Sequence, residues 1–168
     1  LIMAACLVVV AGVAGFKGWQ YWQVKQAETA AESFFAASKL AASGKTDDAL
    51  KQYETVGHAG YGVLAKLRAA NAAAEAGKLE DAVKTYDVIA ADASVAAPLR
   101  ELARIRAAYA LVDTAKPDEI SARVKDFDAA GNGWRHAARE IMALSLWRAS
   151  DYAGADKQVS AILADPEA

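Results

Sequence analysis

Residues 42–52, with the sequence ASGKTDDALKQ, contain the Gly-Lys-Thr end of a phosphate-binding loop. Such a loop needs an additional glycine six residues before its lysine, so that backbone N–H groups can close around the anion. That position is Lys39. The loop must also follow a β-strand, whereas the preceding AAESFFAASKLAA is rich in alanine and predicts a helix. The pattern therefore indicates a turn between two helices and not a nucleotide site.

Two acidic pairs could suggest acid–base chemistry or a cation site. They are Asp47-Asp48 and Glu80-Asp81, and both stand where a helix is expected to start. Negative side chains there are stabilised by the positive end of the helix dipole, which accounts for them without a catalytic role. We therefore expect no catalytic residue in either pair.

Residues suited to nucleophilic or metal chemistry are sparse. Cys6 is the sole cysteine, which excludes an intrachain disulfide and a cysteine metal cluster. His58 and His136 have no second histidine or cysteine at the spacing of a metal site, so we expect them to be exposed or to cap helices. The net charge is −2 and no basic tract suggests nucleic acid. The sequence thus predicts no catalytic residue, no metal and no cofactor.

Small residues repeat along the chain beyond residue 22. Alanine makes up about a quarter of the residues and only 3 prolines occur, which favours closely packed helices. The frame Gly-Lys-x-x-Asp-Ala-x-x-x-Tyr of residues 44–53 returns at residues 77–86. Extended along the chain, it predicts about four helical hairpins, with spacings of 33, 38 and 35 residues between corresponding alanines.

Each hairpin contributes one residue to every set of corresponding positions. The sets are Ala37, Ala70, Ala108 and Ala143 in the first helix; Gly44, Gly77, Ala115 and Ser150 at the turn; Ala49, Ala82, Ile120 and Ala155, then Tyr53, Tyr86, Val124 and Val159, then Val56, Ile89, Phe127 and Ile162 in the second helix. Small residues at these places would let two backbones approach closely. Because the third and fourth hairpins depart from the pattern, we expect them to pack less regularly.

Local signals support these boundaries. The glycines at the first two turns suit left-handed helix ends, and Pro117 fits a first helical turn. We expect Thr46, Asp47 and Ser150 to accept hydrogen bonds from backbone groups at helix starts.

The first residues, LIMAACLVVVAGVAGF, carry no charge. At 1.5 Å per residue they would reach about 24 Å, short of a hydrocarbon core about 30 Å thick, so we interpret them as the end of a transmembrane helix that begins before this sequence. Lys17, Trp19, Tyr21 and Trp22 would then lie at the membrane interface. A cleaved signal peptide is the alternative.

This interpretation predicts two domains. Residues 1–22 would form the anchor with its interfacial belt, and residues 23–168 the repeat domain. No strong helix breaker lies between Gly18 and Gly44, so we expect one continuous helix to about residue 42.

The repeat frame resembles the tetratricopeptide repeat, a helical hairpin of about 34 residues. The succession of GWQYWQ, GKLEDAVKTYDVIAAD and WRHAAREIMALSLWRASDYAGADKQVSAILADP is similar to the membrane-anchored tetratricopeptide family known as the ancillary subunit of the Sec translocon. The resemblance covers nearly the whole chain. It implies an all-α protein with a single span in the bacterial inner membrane and periplasmic repeats. Its partners would be the Sec translocon and a membrane-anchored periplasmic prolyl isomerase and chaperone.

In stacked hairpins the first helices line the concave face, and a contiguous apolar patch there would bind a protein partner. The frame assigns to this groove Phe34, Leu64, Leu67, Asn71, Leu102, Ile105, Tyr109, Leu144 and Trp147. Two alternatives stay open. The same residues could be core of a short, curled array, and the protein could be a structural or assembly subunit of another inner-membrane complex, respiratory or photosynthetic.

Overall fold

The chain is helical wherever the structure describes it. The computed structural model describes the backbone of residues 2–57 and 59–166, and within these ranges no strand occurs. The helices are α1 (Ile2–Ala42), α2 (Thr46–Glu54), α3 (Ala59–Glu75), α4 (Leu79–Ala91), α5 (Ala97–Leu111), α6 (Pro117–Val124), α7 (Arg135–Arg148) and α8 (Tyr152–Leu163), with a 3-10 turn at Lys125–Phe127 after α6. The all-α prediction and the hairpin order are confirmed.

Helix α1 is continuous through residue 42, as expected from the absence of a strong breaker. The prediction of a transmembrane anchor at residues 1–22 is wrong: over the described residues, no helix is long and apolar enough to cross a membrane. The physical reason is that the apolar run ends at Phe16, and polar residues follow it at close intervals from Lys17 onward. Residue 1 and the side chains of residues 2–9, including Cys6, lie outside the described part.

The predicted single-pass inner-membrane location is wrong for the same reason, whereas the interfacial role of the lysine and aromatic side chains that follow the apolar run stays a prediction. Lys17, Trp19, Tyr21 and Trp22 are exposed side chains on α1. Successive residues are 100° apart at 3.6 residues per turn, so these four positions are spread around the axis of α1 and do not share one face.

The chain divides into two compact units, Leu1–Arg68 and Ala69–Ala168, with the division inside α3. In the first unit, α1 and α2 pack together as a hairpin, and Ala37 of α1 and Ala49 of α2 are both fully buried. The hydroxyl oxygens of Ser38 and Tyr53 are 3.0 Å apart, within hydrogen-bond distance. The small residues of the repeat frame are therefore buried in this hairpin, as the sequence predicts.

The second unit is built by helices that pack in chain order. Helix α4 packs on α5, α5 on α6, α6 on α7 and α7 on α8. Its core is a cluster of buried side chains from α5 and the residue after it, α6, the 3-10 turn and α7: Ile105, Ala108, Val112, Ile120, Val124, Phe127, Ala138 and Ile141. Burial of these apolar side chains is the main source of this unit's stability.

The turns confirm part of the predicted chemistry. Gly44, Gly77 and Ser150 all have left-handed backbone conformations, with φ of 77°, 79° and 65°. The capping expectation is wrong at Thr46, because the N-cap residue of α2 is Lys45, whose side chain makes no capping hydrogen bond. At the last turn the cap is the residue after Ser150, since the Asp151 carboxylate accepts a hydrogen bond from the Gly154 N–H.

The third hairpin is less regular than the others, as the sequence suggested. Ile120 is fully buried where the first two hairpins have alanine. Helix α6 begins at Pro117 and is only 8 residues long before the chain tightens into the 3-10 turn. Phe127 of that turn is buried, and the Arg104 guanidinium lies 4.6 Å from its ring centroid.

Candidate functional site

Three of the predicted groove residues belong to the first unit. Phe34 is half-buried, with its ring centroid 5.9 Å from those of both Tyr53 and Tyr61. Leu64 is exposed, whereas Leu67 is buried. Of these three, Leu64 offers the most accessible apolar surface.

Three others lie inside the second unit. The amide oxygen of Asn71 accepts a hydrogen bond from the hydroxyl of Tyr86, and burial raises the pKa of that tyrosine. Leu102 is half-buried. Ile105 is 2% exposed and belongs to the core cluster, so it has almost no surface to offer a partner.

Tyr109 joins α5 to α7. Its hydroxyl donates a hydrogen bond of 2.9 Å to a carboxylate oxygen of Glu140. Burial, and then the hydrogen bond and the negative charge of Glu140, raise the pKa of Tyr109 to about 12. The phenol is therefore neutral at physiological pH and acts as a donor, which fixes the spacing of the two helices at this point.

Leu144 and Trp147 are exposed on the last two turns of α7. The Trp147 ring lies edge-on to that of Tyr152 at the start of α8, with ring centroids 6.5 Å apart. A cavity of 310 Å³ opens beside them, lined by Val112, Asp113, Leu144, Trp147, Arg148, Ser150 and Tyr152. Exposed aromatic side chains beside a concavity are typical of protein-binding surfaces.

The hydrogen bond from Tyr109 to Glu140 brings one face of α5 beside one face of α7. The groove positions Leu102 and Tyr109 share a helix face with the exposed Arg106, and Leu144 and Trp147 share one with the exposed Glu140. We call Leu102, Arg106, Tyr109, Glu140, Leu144 and Trp147 the α5–α7 surface. The sequence frame missed Arg106, Glu140 and the neighbouring Tyr152. The spacing of three or four residues from groove positions could have identified the first two.

A larger concavity lies elsewhere in the second unit. It is an open groove of 1110 Å³ along α4, lined by Gly77, Lys78, Leu79, Glu80, Asp81, Val83, Lys84, Asp87, Val88, Ala91, Leu111 and Thr114. Charged side chains of both signs stand among its apolar lining residues, and it holds no aromatic residue. It therefore lacks the aromatic anchors that are enriched at the centre of protein interfaces.

A charged cluster joins the start of α7 to Asp165, the second residue after α8. The Asp165 carboxylate lies 2.6 Å from the guanidinium of Arg135, 3.4 Å from that of Arg139 and 3.2 Å from Nε2 of His136. Arg139 also donates a hydrogen bond to the carbonyl oxygen of Ala161. These ion pairs hold the end of the last hairpin against the start of α7. His136 is partly buried beside Asp165, so it is neither fully exposed nor a helix cap.

The described residues hold no group of three or more histidine, cysteine, aspartate or glutamate side chains placed to bind a metal ion. The acidic pairs Asp47-Asp48 and Glu80-Asp81 lie in the first turns of α2 and α4, where the helix dipole favours them. His58 is outside the described residues.

Comparisons with known protein families give one match. The family described as tetratricopeptide repeat-like domain matches residues 1–163. No curated protein and no solved structure matches the chain significantly.

Proposed function

This chain belongs to the tetratricopeptide repeat-like domain family, and we propose that it is a non-enzymatic module that binds a protein partner through the α5–α7 surface. Repeat domains of this kind are protein-interaction modules, built from stacked hairpins that expose the faces of their helices. The partner is therefore a polypeptide segment that meets α5 and α7.

The exposure of Leu144 and Trp147 is the observation that carries this proposal. Both are large apolar side chains on a rigid helix, and tryptophan is among the residues that contribute most to protein interfaces. Arg106, one turn before Tyr109 on α5, and Glu140, one turn before Leu144 on α7, add one exposed charge of each sign to the surface, which suits a polar rim around an apolar centre.

The finer identity of the partner comes from the resemblance alone. It names the Sec translocon and its periplasmic prolyl isomerase and chaperone, so antibodies against these proteins give a direct first check. A partner recovered at a fixed ratio would instead favour a structural or assembly subunit of another complex.

The proposal is tested by affinity purification from cells that express the tagged full chain. A double change of Leu144 and Trp147 to alanine should remove the captured partner without changing thermal melting, because both side chains are exposed. Val88→Ala is the matched control, since Val88 is an exposed apolar residue on α4. Equal recovery of the same proteins with the double variant and the control would contradict the proposal.

A further inference from the structure

The chain has two asparagines, and they lie in different surroundings. Asn71 is inside α3, is followed by Ala72, and its amide oxygen accepts the hydrogen bond from Tyr86. Asn132 is in the loop between the 3-10 turn and α7, and it is followed by Gly133. Asn132 is partly buried and Gly133 is exposed. Only the second asparagine therefore combines a neighbouring glycine with a position outside the helices.

An asparagine followed by glycine can modify itself. The backbone nitrogen of the glycine attacks the side-chain amide carbon of the asparagine and closes a succinimide ring. Glycine favours this reaction because it has no Cβ to obstruct the approach and its backbone is flexible. Inside a helix the hydrogen-bonded backbone holds the two atoms apart, so a loop is the more reactive place.

The loop before α7 holds the Asn132 side chain in a turn that suits this attack. The backbone N–H of Trp134 donates a hydrogen bond of 2.8 Å to Oδ1 of Asn132. Because this bond reaches from residue 132 to residue 134, it folds the side chain towards the peptide group of Gly133 between them. The donated N–H also stabilises the negative charge that develops on Oδ1 when a nucleophile adds to the amide carbon.

We propose that Asn132 is a site of spontaneous deamidation in the folded chain. The Gly133 nitrogen forms a bond to Cγ of Asn132 and gives its proton to water. The bond from Cγ to the side-chain nitrogen breaks, and that nitrogen takes a proton from solvent and leaves as ammonia. Water then opens the ring at either carbonyl group, which leaves aspartate or isoaspartate. The reaction needs no partner, so it is independent of the proposed function.

The aspartate product fits the loop. It leaves the main chain unchanged, and its carboxylate can accept the N–H of Trp134 as the amide oxygen does. It also lies just before α7, where a negative charge is favoured by the helix dipole. Asn132→Asp reproduces this product and should melt within about 2 °C of wild type.

The isoaspartate product disturbs the start of α7, because it lengthens the main chain after residue 132 by one methylene group. Trp134 packs against the core cluster, and its indole N–H donates a hydrogen bond of 3.2 Å to Glu101 of α5. The backbone N–H of Arg135 donates another to the carbonyl oxygen of Asn132. A longer main chain strains both contacts, so this form should lower Tm by about 2 to 4 °C for each hydrogen bond lost.

The proposal is tested by ageing the purified full chain at physiological temperature and pH. Mass spectrometry follows the mass increase that replacement of NH2 by OH gives, and digestion assigns it to a residue. Labelling with an isoaspartate methyltransferase identifies the isoaspartate form. A synthetic peptide with the chain's own sequence 129–135 sets the rate of the same reaction without the folded loop. The chain should convert at Asn132 within about tenfold of the peptide rate or faster, while Asn71 stays unmodified.

Two variants provide matched controls. A Cβ added at Gly133 would meet open space, and the φ of this residue lies outside the left-handed region, so alanine fits the loop. Gly133→Ala should therefore melt like wild type and slow the conversion at least about tenfold, because its methyl group obstructs the attacking nitrogen. Asn132→Ser keeps a side-chain oxygen for the Trp134 N–H but has no amide to lose. Its mass and its Tm should not change with age, whereas the Tm of aged wild type should fall as isoaspartate accumulates.

Three results would overturn the proposal. The first is conversion of the folded chain more than about tenfold slower than that of the peptide, which would show that the loop protects Asn132. The second is equal conversion at Asn71 and Asn132, which would assign the reaction to the unfolded chain. The third is undiminished conversion in a normally melting Gly133→Ala.

Discussion

Ile105 and Leu102 stand one helical turn apart on α5, yet the structure gives them different roles. Ile105→Ser removes a side chain that is 2% exposed and leaves a hydroxyl inside the core cluster. Loss of a buried aliphatic side chain costs about 2 to 5 kcal/mol, and an unpaired hydroxyl adds to that cost. Because a domain of this size has roughly 5 to 15 kcal/mol of stability in total, the change should unfold a large part of the second unit near physiological temperature.

The expected shift is large enough for a simple assay. Each kcal/mol moves the Tm of a chain of this length by about 2 to 4 °C, so Ile105→Ser should lower it by about 4 to 20 °C. Leu102→Ser should have a smaller effect because Leu102 is half-buried. Trp147→Ser is the surface control and should change Tm by no more than about 2 °C. Circular dichroism melting of the three variants beside wild type measures the order of their Tm values.

A melting temperature for Ile105→Ser within about 2 °C of wild type would refute the assignment of this residue to the core. Such a result would instead support the prediction of the repeat frame that Ile105 lies in an open groove. A large loss of stability in Trp147→Ser would contradict the exposed position of that side chain in the same way.

The remaining predictions concern the repeat frame, a tyrosine and the opening turn. Ala70→Leu should destabilise the chain by about 1 to 3 kcal/mol in denaturant unfolding, because Ala70 is buried between helices and a larger side chain must strain them. Tyr109 has its pKa raised above the unfolded value of 10.0 to about 12, so its contribution to stability is complete below pH 10 and is lost as the pH rises towards 12. Tyr109→Phe should therefore reduce the fall in stability over that range, and an unchanged slope would contradict the stabilising hydrogen bond from Tyr109 to Glu140. Lys45→Ala should leave melting unchanged, and nucleotide binding that this change abolishes would reverse the interpretation of the turn.

The hairpins were predictable because small residues recur at the places where helices approach most closely. Ala37, Ala70, Ala108 and Ala143 are all buried, as their alignment implies. Glycine at the first two turns was equally informative, since a left-handed backbone strongly favours it. Turn conformations of this kind depend on a few adjacent residues, so the sequence alone can predict them.

What the sequence could not settle was which way each helix faces. The frame assigned Leu102, Ile105 and Tyr109 to one groove, and at 100° per residue they do lie within about 60° of one another on α5. Only tertiary packing decides that Ile105, at one edge of this side, belongs to the core. Tyr152 was missed for a related reason. Its contact with Trp147 crosses the turn between two helices, and the repeat pattern does not report such contacts.

The apolar start of the chain shows the limit of a composition argument. The uncharged run to Phe16 suggested a membrane span, although its length fell short of a hydrocarbon core even at the sequence level. Over the described residues, however, no helix combines the length and the apolarity needed to cross a membrane. Helix continuity, by contrast, followed from propensity alone and is confirmed through residue 42.

Site-specific photo-crosslinking tests the central claim most directly. A photoreactive phenylalanine analogue placed at Trp147 lies within reach of any partner on the α5–α7 surface, and the same analogue at Val88 samples an exposed site on α4. The account predicts a discrete protein adduct from position 147 and none from position 88. An adduct of the same size and yield from both positions, or from 88 alone, would contradict it.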